Sequence, residues 1–198
     1  MKLLPILRLF AELCLFRQRP ENFPVSQHLL VIAGALYLGV LFVWPPIPTR
    51  DISSLLFCCI ANTILPGAVW FFILRLRGVG MRWKQTALAM FGALTITHLI
   101  GSPFYADVNR LMELVLSEME SVKQSLPQST LADVLPAEIP KWSVYMAYAV
   151  DIWQLTIQAW ILSQAIEIRT ALGFLIVVAY SLPLYMVTIY HSGMFSFP

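Results

Sequence analysis

The chain has 198 residues, of which 59% are hydrophobic and only 12% are charged, with a net charge of +2 and a mean hydropathy of +0.74. A soluble domain carries about a quarter charged residues, so this composition excludes an ordinary soluble domain. It predicts an all-α, polytopic membrane helix bundle, and the small net charge gives no argument for a nucleic-acid partner.

The N-terminal segment, residues 1–27, is predicted to be an amphipathic segment at the cytoplasmic membrane interface, with a helix over residues 3–17. Phe10 and Leu13 belong to an apolar stripe at helical spacing, while Arg8 and Glu12 fall on another face. The same two charges interrupt the apolar run, and no small-residue cleavage site follows, which argues against a signal peptide. Two interpretations stand: an anchor for a partner or the lipid surface, and a lead-in helix that packs on the bundle.

Residues 28–198 are predicted to form one membrane domain with five transmembrane helices. Each apolar stretch is long enough to cross a hydrocarbon core of about 30 Å at about 1.5 Å per helical residue. The third stretch is the most interrupted, and we expect it to end near Gly101 and Pro103. Ser26 is expected to cap the first stretch. The predicted spans are 28–45, 52–74, 86–103, 143–166 and 171–190.

The distribution of Lys and Arg between the spans predicts the orientation. Basic residues concentrate before the first span and between the second and third, while the third loop, residues 104–142, is mostly acidic. Since cytoplasmic loops carry the excess of Lys and Arg, this pattern places the N-terminus inside, the C-terminus outside and residues 104–142 on the extracytoplasmic side. The basic residues between the second and third spans are Arg75, Arg77, Arg82 and Lys84.

The predicted third loop contains the clearest helical periodicity in the chain. An apolar stripe recurs at offsets of three and four residues and faces away from the acidic side chains. The segment either extends the third span outward or lies on the outer leaflet. The stripe is either a docking surface for an extracytoplasmic or membrane partner protein, or a helix face that covers the mouth of the bundle. Its members are Val108, Leu111, Val115, Met119 and Val122.

A polar cluster is predicted in the outer half of the membrane. Asp151, Gln154 and Gln158 share one face of the fourth span, and Asn62 and His98 have similar depths in the second and third spans. Ionisable groups in hydrocarbon normally face the bundle interior, because their exposure to lipid is costly. The functional interpretation is a proton or cation site, with Asp151 as the carboxylate and His98 as its titrating partner. The structural interpretation is a set of hydrogen bonds that fixes helix register.

The sequence motifs predict no enzyme. The three cysteines form neither a metal-binding spacing nor a disulfide framework, so no metal site is predicted, and Cys14, Cys58 and Cys59 are treated as small apolar residues. The sequence lacks a phosphate-binding glycine loop and a nucleophile elbow, and its loops are too short for a catalytic domain. No catalytic residue and no cofactor is therefore predicted.

Two resemblances bear on function. The arrangement of five spans behind an amphipathic segment resembles that of the Yip1-type membrane proteins. The segment 16–26, FRQRPENFPVS, is similar to the lead-in of small proteobacterial inner-membrane proteins. These resemblances imply a multi-pass protein of a bacterial inner membrane with an accessory or assembly role. The predicted function is a non-enzymatic membrane scaffold or accessory subunit that contacts lipid and another membrane or periplasmic protein. The alternative is a small transporter or channel with a site at Asp151.

Overall fold

The structure, a computed structural model, describes residues 3–45, 48–49, 51–124 and 141–191, without the side chains of residues 3–7 and 115–124. Within these ranges the chain is helical and contains no strand, which confirms the all-α prediction. The α-helices are α1 (Leu3–Cys14), α2 (Gln27–Val43), α3 (Ile52–Leu76), α4 (Trp83–Gln124), α5 (Lys141–Ile166) and α6 (Thr170–His191).

The helices α2 and α3 each begin at a side chain that accepts a hydrogen bond from a backbone N–H of the first helical turn. Ser26 Oγ accepts a hydrogen bond from the Leu29 N–H at 3.3 Å, as predicted from the sequence for the start of α2. Asp51 Oδ1 accepts one from the Ser54 N–H at 2.6 Å at the start of α3. That backbone hydrogen bond holds the pKa of the exposed Asp51 below its usual value. Both helix starts therefore follow from local sequence.

The five long helices α2–α6 run up and down and form a closed ring. α2 packs beside α4, α4 beside α5, α5 beside α6, and α6 beside α3. The contact between α3 and α2 closes the ring. We call the end that contains Arg82 the Arg82 end, and the opposite end, which contains Trp44, the Trp44 end. At the Arg82 end, Arg82 Nη1 lies 3.1 Å from Glu21 Oε1 and 2.8 Å from Glu167 Oε1. It thereby joins the N-terminal segment to the α5–α6 turn.

The membrane assignment rests on length, hydropathy and exposed apolar surface. Among the described residues, three helices are long and apolar enough to cross a membrane: Ile52–Leu76, Gly80–Leu114 and Thr170–His191. α2 is apolar but shorter, and α5 is not among them. Large apolar side chains on the outer faces are exposed, with Val31, Ile64 and Leu175 each more than 60% accessible. A membrane protein is thus supported, while the five spans and their orientation stay predictions.

Contrary to expectation, the helix of the third predicted span does not end near Gly101 and Pro103 but continues outward, which agrees with the first of the two placements given for the segment that follows. α4 continues through Pro103 to Gln124, so residues 104–124 of the predicted loop belong to the same helix. Pro103 has no N–H to donate to the Leu99 carbonyl, four residues earlier. The Ser102 hydroxyl donates to that carbonyl instead, at 2.8 Å. Because the freed carbonyl has a new partner, the helix tolerates the proline.

The N-terminal segment packs on the bundle, as the second of its two interpretations expected. The Phe10 ring lies directly over Gly92 of α4, where a methyl group would overlap it. Leu13 and Cys14 are buried, and the Trp153 indole N–H donates to the Cys14 carbonyl at 3.2 Å. The contacts of α1 are therefore with α4 and α5, and its placement at a membrane interface stays a prediction.

The bundle core lies towards the Arg82 end, where fully buried side chains of α3, α4, α5 and α6 interdigitate. At this end, a shallow apolar groove lined by Ile73 of α3 and Leu172 of α6 lies on the outer surface. A second, much smaller buried cluster of Tyr105, Ala147 and Val150 lies towards the Trp44 end. The polar space inside the bundle is consequently in the Trp44 half. The largest fully buried apolar side chains that α3, α4, α5 and α6 contribute to the main core are Trp70, Leu74, Leu88, Met90, Ile157, Ile161, Leu162 and Val177.

Candidate functional site

A half-open cavity of about 390 Å³ occupies the Trp44 half of the ring, and each of the helices α2–α6 contributes to its wall. The five side chains of the predicted polar cluster all line it. They arrive from three helices: Asn62 from α3, His98 from α4, and Asp151, Gln154 and Gln158 from α5. The structure therefore brings together the residues that sequence reasoning grouped by helix face and depth.

Asp151 lies at the open side of this cavity and has one hydrogen-bond partner. The Tyr105 hydroxyl donates to Asp151 Oδ1 at 2.5 Å. Within the described part of the chain, Oδ2 accepts no hydrogen bond, and no Lys or Arg forms an ion pair with the carboxylate. Among the described residues, Asp151 is therefore the only charged side chain in the cavity wall, and none of them supplies a counter-charge.

His98 reaches Asp151 only through Tyr105. The His98 and Tyr105 rings are stacked, with centroids 5.1 Å apart and an interplanar angle of 28°. His98 Nε2 lies 2.7 Å from the Trp44 carbonyl oxygen, and because a carbonyl only accepts, this nitrogen carries a proton. The expected direct pairing of Asp151 with His98 is thus replaced by a Tyr105-mediated contact.

The amide side chains of the cluster each join two helices. Thr97 on α4 donates to Gln154 Oε1 at 3.4 Å, and Tyr180 on α6 donates to Gln158 Oε1 at 2.7 Å. Asn62 Nδ2 donates to Thr188 Oγ1 on α6 at 3.1 Å. These bonds have the geometry that the structural interpretation expected.

Tyrosines form much of the remaining polar wall, and only Tyr148, three residues before Asp151 on the same helix, is placed near the cluster by its spacing in the sequence. Tyr180 also accepts a hydrogen bond from the Trp70 indole at 2.9 Å, which fixes its position between α3, α5 and α6. Tyr105 was missed because it follows Pro103, where the span was expected to end. A tyrosine in an apolar helix needs a partner for its hydroxyl, and that is the signal that would have marked these residues. The tyrosines that line the cavity are Tyr37, Tyr105, Tyr148, Tyr180 and Tyr185.

The predicted docking stripe begins beside this cavity on α4. Val108 and Leu111 are half-buried, and Val108 packs against the small cluster around Tyr105. The side chains of Val115, Met119 and Val122 lie outside what the structure describes. The first member of the stripe therefore contacts its own bundle, and a docking role for the rest stays a prediction.

The described residues contain no group of three or more His, Cys, Asp or Glu side chains that could hold a metal ion. Comparison with known protein families, curated proteins and solved structures finds no match for the chain. The two resemblances drawn from the sequence accordingly stay predictions, and the site itself carries the functional argument.

Proposed function

We propose that the protein is a small, non-enzymatic membrane transporter or channel that binds a proton or another cation at Asp151. The observation that carries this proposal is a carboxylate in a bundle cavity with one neutral hydrogen-bond donor and no basic side chain beside it among the described residues. An ionised carboxylate at membrane depth is costly unless it is paired, so Asp151 needs a proton or a cation from outside the chain.

A purely structural role would not require the charge. Asn62 joins α3 to α6 through Thr188 with a neutral amide, and Gln158 joins α5 to α6 through Tyr180 in the same way. An asparagine at 151 could still accept the Tyr105 hydroxyl through its amide oxygen, without the cost of a charge. The presence of aspartate where an amide suffices favours a site that binds and releases positive charge.

The proposal includes a placement in the membrane. The Arg82 end carries Arg75, Arg77, Arg82 and Lys84 near the helix ends, whereas Asp107 and Glu113 lie at the Trp44 end. The excess of basic residues favours a cytoplasmic Arg82 end. In this arrangement five helices span a bacterial inner membrane, the N-terminus is inside, and the cavity lies in the extracytoplasmic half.

Flux measurements on proteoliposomes test the proposal. Under an imposed pH or cation gradient, the wild-type protein should carry protons, Na⁺ or K⁺, and Asp151→Asn should abolish this flux at normal abundance. Asp107→Asn is the matched control, because Asp107 also joins α4 to α5, by accepting the Ser143 hydroxyl at 2.6 Å, but does not line the cavity. Equal flux in wild type and Asp151→Asn would contradict the proposal.

A scaffold or accessory subunit of a membrane complex is the second candidate. The favouring observation is that most polar side chains of the cavity already bridge two helices, which suits a static bundle. The partner would be another membrane or periplasmic protein that contacts the α4 stripe. For this role we expect Asp151→Asn to be neutral. Leu111→Glu with Val115→Glu should shrink the native complex in mild detergent while the abundance of the chain stays constant.

A further inference from the structure

We propose that the cavity takes an amphiphile with a protonated amine head group and an alkyl tail, and that this ligand enters from the bilayer between α5 and α6. The inference rests on the proposed function, since it takes Asp151 to be the site of positive charge. It goes further by naming the ligand class and the route.

α5 and α6 pack closely against each other at the Arg82 end. Gly173 of α6 approaches the backbone of α5 so closely that an added methyl group would lie 2.5 Å from the Ala159 carbonyl oxygen. Ser163 and Thr170 hydroxyls are 3.4 Å apart at the same end. Farther along, the Gln158–Tyr180 hydrogen bond still joins α5 to α6.

Beyond that bond, no side-chain hydrogen bond joins α5 to α6 among the described residues. The Asp151–Tyr105 and Ser143–Asp107 hydrogen bonds join α5 to α4. The corresponding part of α6 contacts α3. Thr188 accepts a hydrogen bond from Asn62, and the His191 ring stacks on Phe57 with centroids 4.1 Å apart. Towards the Trp44 end, the hydrogen bonds of the described side chains therefore join α5 and α6 to other helices and not to each other.

The cavity is open to the outer surface of the ring between these parts of α5 and α6, and we call this opening the slot. Tyr148 on α5 and Leu182 and Tyr185 on α6 line the cavity, yet they are 63%, 57% and 48% exposed. Asp151 is seven residues from Gln158, which places it about 10 Å beyond the last α5–α6 hydrogen bond, at about 1.5 Å per residue. The carboxylate therefore lies beside an opening that faces the bilayer in the proposed arrangement.

The lining matches an amphiphilic cation. The Asp151 carboxylate suits an ammonium group, and the aromatic side chains of Tyr148 and Tyr185 line the same cavity. Aliphatic side chains, among them Val144, Leu155 and Val178, supply an apolar wall for the first part of a tail. The volume of about 390 Å³ lies within the range of small-molecule sites. An inorganic cation would not need the lateral slot, and a neutral or anionic head group would leave the carboxylate unpaired.

Photo-crosslinking tests the inference on the full chain in phosphatidylcholine proteoliposomes. The probe is dodecylamine that carries a diazirine, and the labelled peptides are identified by mass spectrometry. We expect saturable labelling of 144–158 and 178–188. Excess dodecylamine should suppress it, whereas butylamine and dodecanol should not. Asp151→Asn should weaken probe binding at least about tenfold, because the ammonium group loses its charge partner, while Asp107→Asn should not.

A second pair of variants tests the route. Leu182→Trp narrows the slot and should slow labelling, whereas Met186→Trp is the matched control because Met186 is 62% exposed on the same helix and does not line the cavity. Equal slowing by both variants would overturn entry between α5 and α6.

Competition by butylamine and by dodecanol distinguishes the route of entry from the chemistry of the head group. Competition by butylamine equal to that of dodecylamine would overturn entry from the bilayer, since the amine would then come from water. Equal competition by dodecanol would overturn the cationic head group. Absence of saturable labelling would overturn the ligand class altogether. The flux assay decides the proposed function separately, because it uses protons and inorganic cations and no amphiphile.

Discussion

Asp151 differs from the other polar residues of the cavity because its bond to Tyr105 leaves its charge uncompensated. Asn62, Gln154 and Gln158 are neutral, and their helix-joining hydrogen bonds are each worth about 0.6 kcal/mol in membrane proteins. Such bonds position helices, and a change in protonation leaves them intact. The functional argument for the cavity therefore depends on one residue and its charge.

Gly173 lies where α6 approaches the backbone of α5 too closely to leave room for a methyl group. A methyl group there would meet the Ala159 backbone, which cannot rotate away. We predict that Gly173→Ala lowers the free energy of unfolding by about 1–3 kcal/mol through overpacking. Unfolding from mixed micelles by titration with SDS measures this change.

The matched control for that prediction is Gly39→Ala on α2. Nothing lies within 4 Å of a methyl group at Gly39, so the change should be neutral or should stabilise by up to about 1 kcal/mol through helix propensity. Equal destabilisation by both substitutions would mean that the close α5–α6 approach does not exist.

At the scale of secondary-structure elements, α4 depends on how Ser102 compensates for Pro103. We predict that Ser102→Ala lowers the free energy of unfolding by about 0.6–2 kcal/mol, because the Leu99 carbonyl loses its hydrogen bond. In a Pro103→Ala background, the new N–H at 103 can serve that carbonyl, and Ser102→Ala should then be close to neutral. A double-mutant cycle measures the difference, and an equal loss in both backgrounds would contradict the explanation.

Hydropathy locates the long helices in the sequence. It does not predict where α4 ends, and it does not identify α5 as clearly as the other spans. The rule that proline ends a helix is sound for water-exposed backbone, yet a neighbouring hydroxyl overrides it at Pro103. The apolar residues of α5 predict a span, whereas its polar face leaves it outside the group of membrane-length apolar helices. The same polar face supplies Asp151, Gln154 and Gln158 to the candidate site. The polar residues that lower the hydropathy of α5 are therefore also the ones that indicate a site on this helix.

At the scale of the whole molecule, the cluster was predictable and its surroundings were not. Helix face and depth alone group Asp151 with Asn62 and His98, because both follow from residue numbers within spans. Which helices are neighbours in the ring does not follow from those numbers. Tyr105 and Tyr180 are therefore recognisable as partners only from the arrangement in which α4 and α6 lie on either side of α5.

The orientation of the molecule gives a direct prediction. A reporter fused after Arg77 should read cytoplasmic and one fused after Gln128 should read extracytoplasmic, because basic residues concentrate at the Arg82 end. Paired phosphatase and fluorescent-protein fusions measure the side. The same side for both fusions would mean that α4 does not cross the membrane.

The central claim is that Asp151 exchanges positive charge with a ligand or with water, and difference infrared spectroscopy tests it most directly. The protein is reconstituted in lipid, and spectra are recorded as pH or the cation concentration is changed. We predict a carboxyl band that responds to these changes, that is lost in Asp151→Asn and that persists in Asp107→Asn. A spectrum in which no responsive band depends on Asp151 would contradict the account and leave the residue a static hydrogen-bond acceptor for Tyr105.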